Sequence, residues 1–419
     1  MIRIMANPTS MTPVGTPLFP LRVLMISATY PPDVCGVGDY TFQLTKALQN
    51  LGVQVELVTS VRQAGEQNDG DRPVEVRSGQ APPVERNVTR WNLRTLFSLV
   101  DRIEYEGYDC VHIQYSPNFY GSLSFAVNLL PWLLLGTNCR TVVTFHEIYS
   151  PKLSGFRNRI LSIVDYCKDT VLLLGASTAI LTVPSRTQRL GTVFPWLKSR
   201  LHTIPVGTGV QVEPMEPDER TRQRACLGVG EEELLLGSFG SMHVDRCYET
   251  LIRVLHGLKA RLPKLRLAFL GAYREDHPYY QNLKKLIAEN ELESYIAWTG
   301  YGTEQEISRW LSALDVYVMS DRRGASDRKS SLITAIAHGL PVISTFGMDT
   351  PPEFFSSESL VLVAVDDEQA LSRHIEAFAQ DTERRARFGS GAHRLFEANY
   401  AWGAIARKTI EAYDAGVKR

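Results

Sequence analysis

One pattern, written twice, constrains this chain more than any other feature. Short apolar runs rich in β-branched residues alternate with helical repeats, and such alternation folds into parallel α/β sheets. The first copy opens at Leu21 with LRVLMISATY, a strand that stops at Pro31 and Pro32. A loop holding Gly36 and Gly38 follows, then a helical repeat through Tyr40, Leu44, Ala47 and Leu48, then the strand VQVELVTS. CVHIQY (110–115), TVVTFHE (141–147) and AILTVPS (179–185) continue the series, with helical patterns between them. Residues 60–90 are polar and cluster Gly, Pro and charge, so they read as a long mobile loop. After the turn-rich stretch PVGTGVQVEPMEP (205–217) the alternation restarts with LLLGSFGS (234–241) and an amphipathic helix over 248–262. LRLAFLG, YIAWTG, DVYVMS and LPVIST follow as strands separated by helices from Tyr279, Glu304 and Ser331, and YAWGAIARKTIEAY (400–413) reads as one amphipathic helix. The expected fold class is α/β, with two doubly wound parallel-sheet (Rossmann-like) domains facing a cleft, where the carboxyl ends of such strands bind ligands. The boundaries read as a flexible extension over 1–20, a first domain over 21–212 and a second over 213–400.

Composition removes several function classes. The 419 residues suit two or three domains, and 44% hydrophobic with 22% charged residues supplies ample core. Forty-five basic residues against 46 acidic ones argue against gripping nucleic acid or anionic lipid through a global field. Six scattered cysteines without a C-x-x-C pair point to a reduced, cytoplasmic chain with no disulfide framework or structural zinc. The first 20 residues hold four prolines and no unbroken apolar run, unlike a secretory signal. The most apolar stretch, LSFAVNLLPWLLLG (123–136), falls short of the roughly 20 residues a membrane span needs. It reads as a buried helix or as a helix resting peripherally on the inner face of the membrane.

Three clusters carry candidate chemistry. CGVGDY joins the first strand to the first helix, where glycines admit close ligand approach and a helix N-terminus favours an anion; a plain tight turn is the alternative. Without the later glycine it is no dinucleotide fingerprint. GSFGSMHVDR places Ser241, His243 and Arg246 after the first strand of the second domain, where the arginine either clamps a phosphate or is simply solvated. SDRRGASDRKSSLITAIAHGLPV (320–342) sets Arg322, Arg323, Arg328 and Lys329 before a helix opening at Ser330 and Ser331, a dense anion-binding signal. His146 ends a strand and should face the cleft, whereas His112 sits mid-strand and reads as structural. Asp69 and Asp71 form a weak metal-like pair in the polar loop.

These segments together resemble family 4 glycosyltransferases of the GT-B fold, in order and over essentially all of Leu21 to Tyr413. RVLMISATYPPDVCGVGDYTFQLTKAL looks like that family's first strand and glycine loop, and TFHEIY like its strand-end histidine. TVPSRTQRL and TIPVGTGV resemble its segments before the linker, and ALDVYVMS with AIAHGLPVIST its donor-site frame. YAWGAIARKTIEAY is similar to the last helix, which would cross back over 402–416 to the first, acceptor-side domain. The resemblance implies a retaining hexosyltransferase taking a nucleotide sugar, with UDP-glucose as the expected donor. It implies no metal and no separate cofactor, and a saccharide or lipid-linked saccharide acceptor, as in polysaccharide biosynthesis. By the same carry-over Tyr301 would meet the base, and Arg246 would stand where the family places a diphosphate lysine. The amides of Ser330, Ser331 and Leu332 would cradle the diphosphate, Gly36 and Gly38 would close on it, and His146 would touch the donor sugar. Two departures stand out: the family's paired glutamates fall on Ser326 and Thr334, and its diphosphate arginine falls on Ser241. A threonine hydroxyl can still bond a ribose hydroxyl, and Arg328 or Lys329 could replace the missing cation. Two other readings stay open: a nucleotide-sugar epimerase, and a non-catalytic sugar-nucleotide-binding scaffold.

Overall fold

The computed structural model describes residues 20–33, 35–61, 82–121, 123–149, 156–348, 350–355 and 358–415. Residues 1–19 of the extension and the Asp69 and Asp71 pair lie outside them. The first sheet contains β1 (Arg22–Ser27), β2 (Gln54–Ser60), β3 (Val84–Val88), β4 (Cys110–Tyr115), β5 (Arg140–Phe145), β6 (Thr178–Leu181) and β7 (Leu201–Thr203). The second contains β8 (Leu234–Phe239), β9 (Leu265–Leu270), β10 (Ile296–Trp298), β11 (Val316–Met319), β12 (Val342–Thr345) and β13 (Val361–Val363). The helices of the first half are α1 (Gly36–Asn50), α2 (Leu93–Glu106), α3 (Ala126–Leu133), α4 (Phe156–Gly175) and α5 (Pro184–Val193). Those of the second are α6 (Pro217–Cys226), α7 (Tyr248–Leu258), α8 (Pro278–Glu289), α9 (Glu304–Ala313), α10 (Ser330–Ala337), α11 (Glu368–Gln380), α12 (Thr382–Asn399) and α13 (Trp402–Ala415).

Both sheets are wholly parallel, with strand orders β3-β2-β1-β4-β5-β6-β7 and β10-β9-β8-β11-β12-β13. Helices cover both faces of such sheets, so a central strand can be buried at every position, as β4 is. In each sheet the order reverses beside the first strand, between β1 and β4 and between β8 and β11, which opens a crevice at their carboxyl ends. The chain returns to the first domain at its end: Ile405, Ala406, Ala412 and Tyr413 of α13 share a core with Val23, Met25, Val142 and Ile180. Between the sheets the linker is pinned by Trp402 Nε1, which donates to Thr208 O at 2.9 Å.

The polar region 60–90 is not all loop. It contains β3, paired in register with β2 (Leu57 opposite Val84), at the edge of the sheet. Only Val88 of that strand is buried, so an apolar pattern could not reveal it, and charged edge residues such as Glu85 are what an unpaired strand edge tolerates. The apolar stretch 123–136 contains α3, whose Ala126, Val127, Leu130 and Pro131 are buried while Trp132, Leu133 and, just past the helix, Leu135 are exposed. Among the described residues no helix is long and apolar enough to cross a membrane.

Candidate functional site

The crevice of the second sheet is built by two loops. After β8, Gly240 adopts a left-handed backbone (φ 135°), and a Cβ there would stand 2.7 Å from Arg246 Nη2. Only glycine lets the arginine lie this close to the chain. A short 3₁₀ turn over Val244–Arg246, with His243 Nδ1 accepting from the Asp245 amide, returns Arg246 toward the strand end. Its Nη2 donates to Ser331 Oγ at 3.0 Å, while Nη1 is buried with no hydrogen-bond partner. The neighbouring Tyr317 hydroxyl donates to Phe239 O (3.3 Å) and faces the Arg246 and Ser331 side chains. A desolvated guanidinium nitrogen held without an acceptor is an unmet demand for an anion.

The second loop follows β11 and leads into α10. Lys329 Nζ donates to Asp321 Oδ2 at 2.6 Å, and Asp321 also caps the Arg323 amide (2.9 Å). Arg323 Nε lies 3.5 Å from Asp245 Oδ2. Ser241, His243, Asp245, Arg246, Asp321, Arg323 and Lys329 together line a pocket of about 310 Å³. Three cations face two carboxylates there, and the N-terminus of α10 adds its partial positive charge.

The crevice of the first sheet receives His146, directly after β5. Its amide donates to Tyr115 O (3.0 Å), its Nε2 lies 2.9 Å from Gln114 Oε1, and its ring packs edge-on to Tyr40 at 4.9 Å between centroids. Burial lowers its pKa from 6.5 to about 4, so the ring is neutral under ordinary conditions. A pH–rate profile over pH 5–8 should therefore carry no histidine limb near 6.5; a limb there that disappears in His146→Asn would contradict this.

The structure distributes the predicted residues unevenly. Arg246, Ser241, Lys329 and Ser331 gather around the second crevice, and His146 lies at the first. Gly36 opens α1, exposed, and a Cβ at that position would have nothing within 4 Å, so it leaves room for a ligand. Gly38 is buried instead, and a Cβ there would come within 3.2 Å of the Tyr30 backbone, so it serves packing rather than ligand approach. Of the three cradling amides, Ser330 N donates to Arg328 O (3.2 Å) and Leu332 N to Lys329 O (2.8 Å). Only Ser331 is left to offer its amide. Thr334 also requires correction: its hydroxyl donates to Ser330 O (2.7 Å), meets Thr208 Oγ1 at 2.7 Å, and is buried beneath the linker. It is not available to a ribose. Ser326 is buried as well, while Arg328 and Tyr301 are exposed. Sequence reasoning missed Asp245 and Asp321, which orient the cations, and Gln114. The signal for Gln114 was present: a polar residue in a mostly apolar strand, two positions after His112.

Comparison with known proteins fits this architecture. The family model described as Glycosyltransferase Family 4 matches residues 34–210, and that described as Glycosyl transferases group 1 matches residues 219–395. A D-inositol 3-phosphate glycosyltransferase from Pseudarthrobacter chlorophenolicus is 25% identical over 95% of this chain and 96% of its own length. A GDP-mannose-dependent alpha-(1-6)-phosphatidylinositol monomannoside mannosyltransferase from Mycobacterium tuberculosis is 23% identical over 60% of this chain and 65% of its own. Among solved structures, Anabaena HepE in complex with UDP and glucose superposes with a TM-score of 0.64 at 16% identity, covering 94% of this chain and 100% of its own. With two doubly wound sheets, a pocket lined by three cations and two carboxylates at the second switch point and both family models matched in order, the chain belongs to the family 4 glycosyltransferases, hexosyl-transferring enzymes of the GT-B fold.

Proposed function

We propose that this enzyme transfers a hexose, with retention and without a metal, from UDP-glucose to a saccharide or lipid-linked saccharide at the cytoplasmic side of the membrane. The observation that carries the reading is Arg246, whose bare, buried Nη1 stands beside the Ser331 amide end of α10. As the bond to the sugar breaks, negative charge grows on the departing diphosphate, and these fixed donors answer it without reorganisation. The departing phosphate oxygen accepts the proton of the attacking hydroxyl, so no dedicated carboxylate base is required. His146, neutral and held by Gln114, orients a sugar hydroxyl. HepE, a neighbour in fold, carries UDP and glucose, which supports the choice of donor. The inositol phosphate relative keeps a phosphorylated polyol open as a second acceptor class.

A thermal-shift panel of UDP, GDP and ADP with their glucose and mannose conjugates tests the donor. A ligand at about 100 times its Kd adds roughly 2.7 kcal/mol of stability. UDP and UDP-glucose should shift the melting curve most; a larger response to GDP-mannose would replace the donor, and silence across the panel would leave only a scaffold. With the donor fixed, release of free nucleotide should require an acceptor, and conversion of the donor alone would instead mark an epimerase.

A further inference from the structure

Strand β4 carries His112 and Gln114 two positions apart, hence on one face, and both are fully buried. Their contacts form a chain that runs from α13 to the first crevice. His112 Nδ1 lies 2.7 Å from Tyr413 Oη, and its Nε2 lies 2.8 Å from Thr144 Oγ1 and 3.2 Å from Gln114 Nε2. Gln114 Oε1 then meets His146 Nε2 at 2.9 Å. The directions follow from donor chemistry. With the Gln114 amide nitrogen turned toward Met25 Sδ (3.3 Å) and His112, His112 Nε2 accepts and its proton sits on Nδ1, donating to Tyr413. An amide oxygen only accepts, so His146 carries its proton on Nε2, and in the neutral ring Nδ1 is bare.

We propose that Gln114 is the positioning residue of His146, fixing its Nε2–H tautomer so that Nδ1 is presented as a hydrogen-bond acceptor for a ligand hydroxyl. A hydroxyl is the ligand group that suits it: a bare imidazole nitrogen accepts from a donor and repels a carboxylate or phosphate oxygen. That assignment of the ligand rests on the proposed glycosyl transfer; Gln114's hold on the ring does not. The opposite side of the ring is set by α13 as well, since Tyr40 packs edge-on to both His146 (4.9 Å) and Trp402 (5.3 Å). Tyr40 from α1, Cys110 and His112 from β4 and Tyr413 from α13 are the ionisable groups facing this network among the described residues. Burial raises both phenols and the Cys110 thiol far above their usual ranges and lowers His112 to about 3, so all four stay neutral.

The test is long-range ¹H–¹⁵N NMR of the histidine rings in the full-length protein, read alongside transfer kinetics. Wild type should show His146 protonated at Nε2 and bare at Nδ1. Gln114→Leu should lose that fixed tautomer and lower kcat roughly tenfold, the scale on which a ligating group loses function when its supporting partner goes. Gln114→Glu, which still accepts, should restore most of the rate at pH 8. It should also raise the His146 midpoint, bringing an acid limb into the rate profile, because a carboxylate favours the cation. Gln114→Met, close to Gln in volume, replaces the Leu variant should that fail to fold. Mixed tautomers in wild type, or an unchanged ring spectrum in the Leu or Met variant, would overturn the inference. A kcat untouched by the loss of the tautomer would overturn its role in transfer. The expected ring states in an enzyme inactive with every donor would overturn the proposed function and leave the hold on His146 standing.

Discussion

Arg246→Ala should lower turnover about 10²- to 10³-fold, the scale lost with one well-placed donor to a developing oxyanion. The loss should fall on the diphosphate: affinity for UDP drops while affinity for uridine and UMP changes little. Arg246→Lys keeps the charge as a point donor and should recover part of the rate, since it gives up the fork that spans Ser331 Oγ and the empty direction of Nη1. The same substitution tests the physics of the site from the other side. A buried guanidinium nitrogen without an acceptor costs the free protein stability. Arg246→Ala should therefore melt no lower than wild type without ligand, and only the UDP-dependent shift should shrink. Near-normal turnover, or a large fall in the ligand-free melting temperature, would show that Arg246 is a structural residue.

How much of this was readable in advance depends on which physical signal each feature left. The two parallel sheets were legible because strands buried on both faces are apolar over most of their length, and VLMIS and VYVM announce themselves. β3 was not, because an edge strand with one buried residue carries no such run. The gathering of cations was legible as a region, since those clustered after one strand and an arginine after its neighbour meet at a switch point. Its detail was not. Sequence counts donors without saying which are spent, and here the Ser330 and Leu332 amides and the Thr334 hydroxyl are spent on carbonyls and a linker hydroxyl within hydrogen-bond reach. The carboxylates facing the cations, Asp245 and Asp321, lie in the same charged runs as the cations, where sequence spacing does not tell a partner from a solvated neighbour.

Asp315→Ala should be the most destabilising change in the second domain, at about 3–5 kcal/mol, because it strands a buried cation. Arg224 is 2% exposed, and its guanidinium donates to Asp315 Oδ2 (3.0 Å), Ala313 O (3.1 Å) and Gly230 O (3.0 Å), as well as to Glu233 O. Asp315 additionally accepts from Arg220 Nη2 (2.7 Å) and from the Leu235 amide (2.8 Å). One carboxylate thus ties α6, the end of α9 and the starts of β8 and β11, beneath the strands whose far ends carry Arg246 and α10. Removing it leaves Arg224 with carbonyls alone, and leaves the Leu235 amide unpaired. Arg224→Leu should cost less, since Asp315 keeps Arg220 and the amide while an apolar side chain fills the space. The double variant should then be more stable than the sum of the two losses, because the stranded charge is gone. Hydrogen exchange of the β8 and β11 amides under native conditions measures all three. Equal costs for the two single variants, or strict additivity in the double, would show that the pair is not what holds this end of the sheet.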